Sequence, residues 1–163
     1  LLEYQKYRIL VFLNPELDTL GKGYQIMQSK IAIGSGGMFG KGYLTGSQSR
    51  LDFLPEKHTD FVFTLISEEM GFVGSMLVLI LYFVINIILI KEFLKEENIT
   101  NKILIFGVSF LIFLYIFFNI GMVTGLIPVV GAPLPFISNG GTSLITIFIG
   151  LGVIQSIRVS RNV

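Results

Sequence analysis

The sequence is poor in charged residues and contains neither cysteine nor tryptophan. Charged side chains make up 14% of its 163 residues and hydrophobic ones 52%, whereas about 25% of residues are charged in a typical soluble domain. No Lys, Arg, His, Asp or Glu occurs in residues 103–157, and residues 70–90 are likewise uncharged. A soluble fold cannot bury so much uninterrupted apolar chain, so the composition excludes a soluble domain and predicts membrane helices.

The same absences narrow the chemistry. Without cysteine the chain has no disulfide and no thiolate metal site. Its net charge of +1 and the lack of a basic cluster give no reason to expect a nucleic-acid partner. No basic region precedes an apolar segment at the start, so no signal peptide is predicted. Because the chain begins at Leu1, we expect it to be the C-terminal piece of a longer protein.

The apolar residues fall into three segments, which predict transmembrane helices at about 62–90, 103–127 and 136–157. Each reaches the ~20 residues that a helix needs to cross a bilayer. We therefore predict an all-α polytopic membrane protein with a membrane block at 61–163. Residues 1–60, which are polar and glycine-rich, are predicted to form a large loop region with a short surface helix.

Basic residues at the ends of the spans predict their orientation, because Lys and Arg collect on the cytoplasmic side of a membrane. The connection between the first two spans and the tail after the third are basic, whereas the Pro/Gly-rich connection at 128–141 is not. The first connection and the C-terminus are therefore predicted to be cytoplasmic, and residues 1–60 extracytoplasmic. The basic residues concerned are Lys91, Lys95, Lys102, Arg158 and Arg161.

Two features stand out in the loop region. Residues 24–33 predict a short helix along the membrane surface, with Tyr24, Met27 and Ile31 on one face. Residues 34–42 (GSGGMFGKG) predict a loop whose glycines permit unusual backbone conformations. A nucleotide-binding loop does not fit, because the Gly-Lys pair lacks both the required upstream glycine and the following Ser or Thr.

The densest polar cluster, residues 55–60 (PEKHTD), lies directly before the first span. Thr59 or Asp60 is predicted to cap the helix that follows. A carboxylate at this boundary can also act as a general base on a lipid-linked substrate, and the two roles are compatible. The only histidine, His58, is interpreted as a structural hydrogen-bonding residue, and no metal-ligand spacing is present.

Polar groups inside the membrane block are open to two interpretations. Glu68 and Glu69 either face a protein interior or aqueous cavity, or lie at the interface with the span proper beginning at Met70. Neutral groups such as Asn119 commonly join helices by hydrogen bonds. Residues 138–143 (SNGGTS) can do the same, or can offer backbone amides at the head of the third span to an anion such as a diphosphate.

Four stretches of the chain resemble the SEDS family of membrane glycosyltransferases. The HTDF run at 58–61 and the PLPFISNGGTS run at 133–143 are highly specific in this order. The VVG and LDFLP runs look more like the elongation, RodA-like members than the division members. One departure is Asn139, where the family more often has Tyr. The matching stretches are 24–42, 54–74, 119–121 and 129–143.

The resemblance implies a ten-helix protein of the bacterial cytoplasmic membrane, of which this chain is the large outer loop and the last three helices. Such proteins polymerise lipid II into glycan strands during cell elongation and shape maintenance. Asp60 matches the family's essential aspartate, which takes the proton of the acceptor sugar's 4-hydroxyl as the lipid diphosphate leaves with inversion. The candidate substrate-binding residues are Glu56, Lys57, His58, Ser138 and Thr142.

The resemblance also implies partners and cofactors. A class B penicillin-binding protein, a transpeptidase with one membrane helix, is expected to pack on the first two spans, where Gly71, Gly74 and Ser75 permit close approach. Lys57 or a divalent cation (Mg or Mn) is expected to offset the diphosphate charge, and the isolated piece is expected to be inactive. A lipid II flippase or transporter and a noncatalytic scaffold for the transpeptidase are the alternatives; the uncharged stretch at 103–157 argues against the transporter.

Overall fold

A computed structural model describes residues 3–18, 21–46 and 59–161 of the chain. These residues form five α-helices and one short 3₁₀ helix, and the described ranges contain no β-strand. The all-α class predicted from the sequence is therefore confirmed. The helices are α1 (Glu3–Leu13), the 3₁₀ helix (Pro15–Asp18), α2 (Lys22–Ser35), α3 (Val62–Lys95), α4 (Ile99–Val123) and α5 (Gly141–Arg161).

Helices α3, α4 and α5 are each long and apolar enough to cross a membrane, as the sequence predicts. Even α5, the shortest with 21 residues, is about 32 Å long at roughly 1.5 Å per residue. Compared with the predicted segments, α4 ends earlier, at Val123, and α5 begins later, at Gly141. Where the bilayer boundaries lie along these helices stays a prediction.

Local backbone chemistry explains both of these helix ends. After α4, Gly125 adopts a φ of +70°, the left-handed conformation that commonly terminates helices, and Pro128 follows. Before α5, the chain makes a turn closed by a hydrogen bond from Ser138 N to Leu134 O of 3.0 Å. This turn keeps residues 134–138 out of the helix.

A narrow stripe of buried side chains joins the three long helices. Its members recur seven residues apart, a spacing that keeps them on one helix face. Only 17% of the apolar window of α3 is buried, so most of its apolar surface is left to face lipid or other helices. The stripe contains Tyr82 and Leu89 of α3, Ile105 and Ile112 of α4, and Ile147 and Ile154 of α5.

Helix α2 contains the short helix predicted at residues 24–33. The predicted apolar face is exposed, with Met27 42% and Ile31 51% accessible. The helix packs against α3 and α4 through a different face, where Ile26, Ser29 and Ala32 are buried. The exposed face remains available to lie along a membrane surface, which stays a prediction.

Helix α3 is broken at Gly71, where the backbone has φ +66° and ψ −160°. A break of this kind leaves carbonyl groups before it and amide groups after it without partners inside the helix. In an apolar layer each unsatisfied backbone group would cost several kcal/mol, because no water is present to replace the lost bond. The break therefore requires partners from elsewhere in the chain.

The glycine-rich segment at residues 36–42, called the clasp loop below, supplies these partners. Its amides donate to two carbonyls before the break, and its carbonyls accept from two amides after the break. The segment is thus a backbone-binding element as well as a flexible turn. The four hydrogen bonds are Lys41 N to Glu68 O (3.0 Å), Gly42 N to Glu69 O (3.0 Å), Phe72 N to Gly37 O (2.8 Å) and Val73 N to Met38 O (3.1 Å).

Close backbone approach in the clasp requires glycine at Gly40 and Gly71. A Cβ atom at Gly40 would lie 2.0 Å from Glu69 O, and one at Gly71 would lie 2.3 Å from Gly40 N. Both glycines also have positive φ, at +78° and +66°. A side chain at either position would push the loop off the helix and strain its own backbone.

The same geometry corrects the expectation that a partner's helix packs at Gly71 and Gly74. That prediction is wrong because Gly71 is covered by the clasp loop, and a Cβ at Gly74 would lie 2.2 Å from Cβ of Met70. Ser75 is turned to the chain's own interior as well, with its Oγ 2.8 Å from Oγ of Ser67. These small residues accommodate this chain's own backbone and side chains.

Glu68 and Glu69 end the first half of α3, and both are buried, with 1% and 7% of their surface exposed. Of the two interpretations of this pair, the structure favours the protein interior. Lys41 of the clasp loop places its Nζ 2.8 Å from Oε1 of Glu68 and so provides the countercharge that a buried carboxylate needs.

We predict that Gly71→Ala in the full-length protein destabilises the fold by about 3 kcal/mol, the combined cost of a positive-φ alanine and a backbone clash. Thermal unfolding in detergent measures the loss as a lower Tm. Gly152→Ala is the matched control, because Gly152 is exposed on α5 and a Cβ there meets nothing within 4 Å. Equal Tm values for the two variants would contradict the clasp.

Candidate active site

The segment around Asp60 is a turn that leads into α3. Phe61 occupies the N-cap position of α3, and its side chain is fully buried at 0% exposure. The prediction that Thr59 or Asp60 caps this helix is therefore wrong. Burial of the Phe61 ring sets where the helix begins and leaves Asp60 one residue outside it, half-buried.

Asn119 of α4 holds the backbone of Asp60. Its Nδ2 group donates to the carbonyl of Asp60 at 2.9 Å and to the carbonyl of Ala132 at 2.6 Å. Asn119 is fully buried, at 0% exposure, so these bonds are shielded from competing water. A side-chain amide has two donors, and here they join the turn before α3 to the loop between α4 and α5.

Ser138 makes a second link between the same two segments. Its hydroxyl donates to the carbonyl of Thr59 at 2.5 Å and accepts from the amide of Leu134 at 2.7 Å. Ser138 is also buried. The carbonyls of two successive residues, Thr59 and Asp60, are thus fixed by two different side chains.

The Asp60 carboxylate lies beside Gly131 of the loop between α4 and α5. A Cβ atom at Gly131 would be 3.2 Å from Oδ2 of Asp60, and Gly131 has a φ of +77°. Gly131 is exposed and Asp60 is half-buried. The arrangement puts a half-buried aspartate on a backbone held by two side-chain hydrogen bonds, as a positioned base requires.

The structure brings two of the predicted site residues, Asp60 and Ser138, into one cluster. Thr142 is exposed in the first turn of α5, and α5 begins at Gly141, so its first amides stand at the head of the helix as the anion hypothesis requires. A bound anion and the substrate-binding roles stay predictions. Three candidates lie outside the described residues: Glu56, Lys57 and His58.

The described residues do not by themselves form a resident metal site. Among residues 3–18, 21–46 and 59–161 no group of three or more His, Cys, Asp or Glu side chains could hold a metal ion. The divalent cation implied by the resemblance therefore stays a prediction, and no chemical step below involves it.

Comparison with known proteins adds to this geometry. The family model for FtsW, RodA and SpoVE, described as "Cell cycle protein", matches residues 1–163. The chain belongs to the FtsW/RodA/SpoVE family. The resemblance stated from the HTDF and PLPFISNGGTS runs is confirmed.

Curated relatives in this family match almost the whole chain. Peptidoglycan glycosyltransferase MrdB of Escherichia coli K12 is 46% identical over 98% of the chain and 43% of its own length. Peptidoglycan glycosyltransferase RodA of Treponema pallidum is 43% identical over 97% of the chain and 36% of its own length. Stage V sporulation protein E of Bacillus subtilis is 43% identical over 97% of the chain and 43% of its own length.

A solved structure of a peptidoglycan synthase complex, studied for the coordination of polymerization and crosslinking, also matches. One of its chains superposes with a TM-score of 0.72 at 34% identity, covering 97% of this chain and 43% of that one. The chain thus spans less than half the length of these family members. Its apolar helices and its family mark it as part of an integral membrane protein.

Sequence reasoning missed two features of this family member's site. Asn119 was expected to join helices, whereas it joins two loop backbones; the available signal was a single amide near the end of an apolar helix. The ion pair between Lys41 and Glu68 was not anticipated at all. The available signal there was a lysine inside a glycine-rich segment and an acidic pair entering a span.

We predict that Asn119→Leu, which keeps the approximate shape but removes both donors, destabilises the full-length protein by about 2–4 kcal/mol through two unsatisfied carbonyls. Asn139→Leu is the matched control, because Asn139 is exposed in the neighbouring loop, and it should change stability by less than about 0.5 kcal/mol. Thermal unfolding of both variants tests this, and a wild-type Tm for Asn119→Leu would refute it.

Proposed function

We propose that this chain carries the catalytic carboxylate of a peptidoglycan glycosyltransferase that polymerises lipid II. One observation carries the proposal: the Asp60 carboxylate is held beside Gly131 on a backbone fixed by Asn119 and Ser138. Support comes from relatives named peptidoglycan glycosyltransferases. Because the chain spans less than half of those proteins, the activity belongs to the full-length protein.

The proposed reaction is a glycosyl transfer with inversion. Asp60 accepts the proton of the acceptor sugar's 4-hydroxyl as that oxygen attacks the anomeric carbon of the donor. The new glycosidic C–O bond forms while the bond to the diphosphate breaks, and the undecaprenyl diphosphate leaves with the bonding electron pair. The chain's contribution is to hold the base and exclude alternative orientations of it.

The groups proposed to bind the substrate either directly precede Asp60 in the sequence or lie in the loop before α5 and its first turn. Ser138 lies in the same hydrogen-bonded cluster, and Thr142 stands with the first amides of α5, where a helix N-terminus favours a diphosphate. Lys57 would offset diphosphate charge, and Glu56 and His58 would contact the sugars or peptide. These roles stay proposals.

We assign the activity to cell elongation. The RodA-like runs of the sequence and the identity to the MrdB and RodA proteins support this role. A sporulation relative is similarly identical, so the proposal rests on the RodA-like runs and on the 46% identity to MrdB.

The proposed partner is a class B penicillin-binding protein, supported by a relative whose structure was solved in a peptidoglycan synthase complex. Since Gly71 and Gly74 are covered, its membrane helix would pack further along the first two spans. An apolar groove of about 420 Å³ between α3 and α4, lined by Leu79, Phe83 and Phe110 among others, offers such a surface.

We predict that Asp60→Asn in the full-length protein lowers lipid II polymerisation by at least about 100-fold, the lower end of the range for loss of a general base. Purified protein is incubated with lipid II and the glycan products are resolved by gel. Asn keeps the shape, so the Tm should stay at the wild-type value. The matched control is Glu97→Gln, because Glu97 is exposed at the far end of the membrane block.

The competing functions give different outcomes in the same preparation. A scaffold predicts normal growth of cells that carry Asp60→Asn. A flippase predicts lipid II translocation in proteoliposomes without polymer formation by the wild-type protein. Wild-type polymer from purified Asp60→Asn would refute the assignment of the base.

Orientation gives a further prediction, since Asp60 must face the outer leaflet. Cysteines are introduced at Glu97 and at Asn139, both exposed, in a cysteine-free background. A membrane-impermeant maleimide added to intact spheroplasts should label the cysteine at position 139 and leave the one at position 97 unlabelled until lysis. The reverse pattern would place Asp60 on the wrong side for lipid II polymerisation.

A further inference from the structure

We propose that Lys41 and Glu68 are positioning residues for Asp60, acting through the ion pair that fixes the first half of α3. The inference rests on the proposed role of Asp60 as base. Neither residue is assigned a contact with substrate, so each would act through the backbone that joins Glu68 to Asp60.

Lys41 holds Glu68 at two points. Its backbone amide donates to the carbonyl of Glu68 at 3.0 Å, and its Nζ lies 2.8 Å from Oε1 of the same residue. The Glu68 side chain is 1% exposed, whereas that of Lys41 is 29% exposed. A buried carboxylate is strongly destabilised without its countercharge. The ion pair and the backbone bond together therefore fix both the position and the orientation of Glu68 relative to the clasp loop.

The segment between Asp60 and Glu68 is short and is set off from the long second half of α3 by the break at Gly71. Its seven helical residues, 62–68, span about 10 Å at roughly 1.5 Å per residue. The break at Gly71 interrupts the helical hydrogen bonds, although the hydroxyl groups of Ser75 and Ser67 are hydrogen-bonded across it at 2.8 Å. The clasp loop adds the backbone bonds and the ion pair that orient the first half.

The contacts around this segment form a closed ring. The clasp loop continues directly from α2, and Ser29 of α2 donates to the carbonyl of Val123 at 2.7 Å. Val123 lies one turn after Asn119 on α4, and Asn119 in turn donates a hydrogen bond to the carbonyl of Asp60 at 2.9 Å. The segment is thus held at its Asp60 end by α4 and at its Glu68 end by a loop anchored on that same helix.

Loss of the ion pair would loosen this ring at its Glu68 end. The backbone bonds of the clasp would remain and keep the fold, but the segment would be free to shift about its Asn119 end. A misplacement of about 1 Å of a catalytic group costs about 100-fold in rate. The pair is therefore expected to affect the rate of the chemical step more than substrate binding.

The test uses the full-length protein with four variants: Lys41→Met, Glu68→Gln, the double variant Lys41→Met/Glu68→Gln, and Lys41→Arg. Lipid II polymerisation gives kcat and KM, and thermal unfolding gives Tm. Lys91→Met and Glu97→Gln are the matched controls, since both residues are exposed on the other end of the membrane block.

The expected result distinguishes an effect on the position of Asp60, measured by kcat, from an effect on stability, measured by Tm. The single variants should lower kcat by about 10- to 100-fold, with KM within about twofold of wild type. Lys41→Arg should retain most of kcat because it keeps the charge. The double variant removes both charges of the pair, so Tm should recover toward wild type while kcat stays low.

Several outcomes would overturn the inference. Recovery of kcat together with Tm in the double variant, or wild-type kcat in both single variants, would mean that the pair does not position the base. Loss of folded protein in the double variant would mean that the pair holds the fold. Asp60→Asn is assayed in the same experiment. Polymer from that variant would refute the proposed function. An inactive Asp60→Asn together with a fully active double variant would refute this inference alone.

Discussion

Backbone hydrogen bonding at the Gly71 break is the constraint on which the rest of the structure depends. A helix interrupted in an apolar layer must find protein partners for its free carbonyls and amides, because lipid offers none. The clasp loop supplies two donors and two acceptors. The clasp loop and the first span therefore fold as one unit. Glycine is required at positions 36, 40 and 71 because the backbones of the loop and of α3 approach too closely there for a Cβ atom.

This constraint also explains where the site lies. The break creates a short helical segment that begins beside Asp60 and ends at two buried glutamates. Buried side chains from α4 and from the loop after it then fix the carbonyls of Thr59 and Asp60. Ionisable groups near a membrane are costly and tend to be kept for function, and here the buried charge lies in the same short segment as the proposed base.

Sequence patterns predicted the long helices well because apolar length alone decides which segments can cross a bilayer. Helix ends depended on interactions distant in sequence: Phe61 took the cap position through burial, and the Ser138 turn delayed α5. The clasp could not be predicted, since it pairs backbone groups about thirty residues apart and leaves no side-chain pattern. Asp60 could be identified from the HTDF run. The role of Asn119 could not be predicted, because it depends on the positions of the Asp60 and Ala132 carbonyls in the folded chain.

Docking of the clasp loop on α3 in the membrane is the central requirement for positioning Asp60. Amide hydrogen exchange of the full-length protein in nanodiscs, followed by mass spectrometry with fragmentation to single residues, measures this directly at Lys41 and Gly42. Both amides donate to carbonyls of α3, so they should exchange orders of magnitude more slowly than an unstructured peptide of the same sequence. Exchange at the unstructured rate would show that the loop is not docked and does not hold the Glu68 end of the segment.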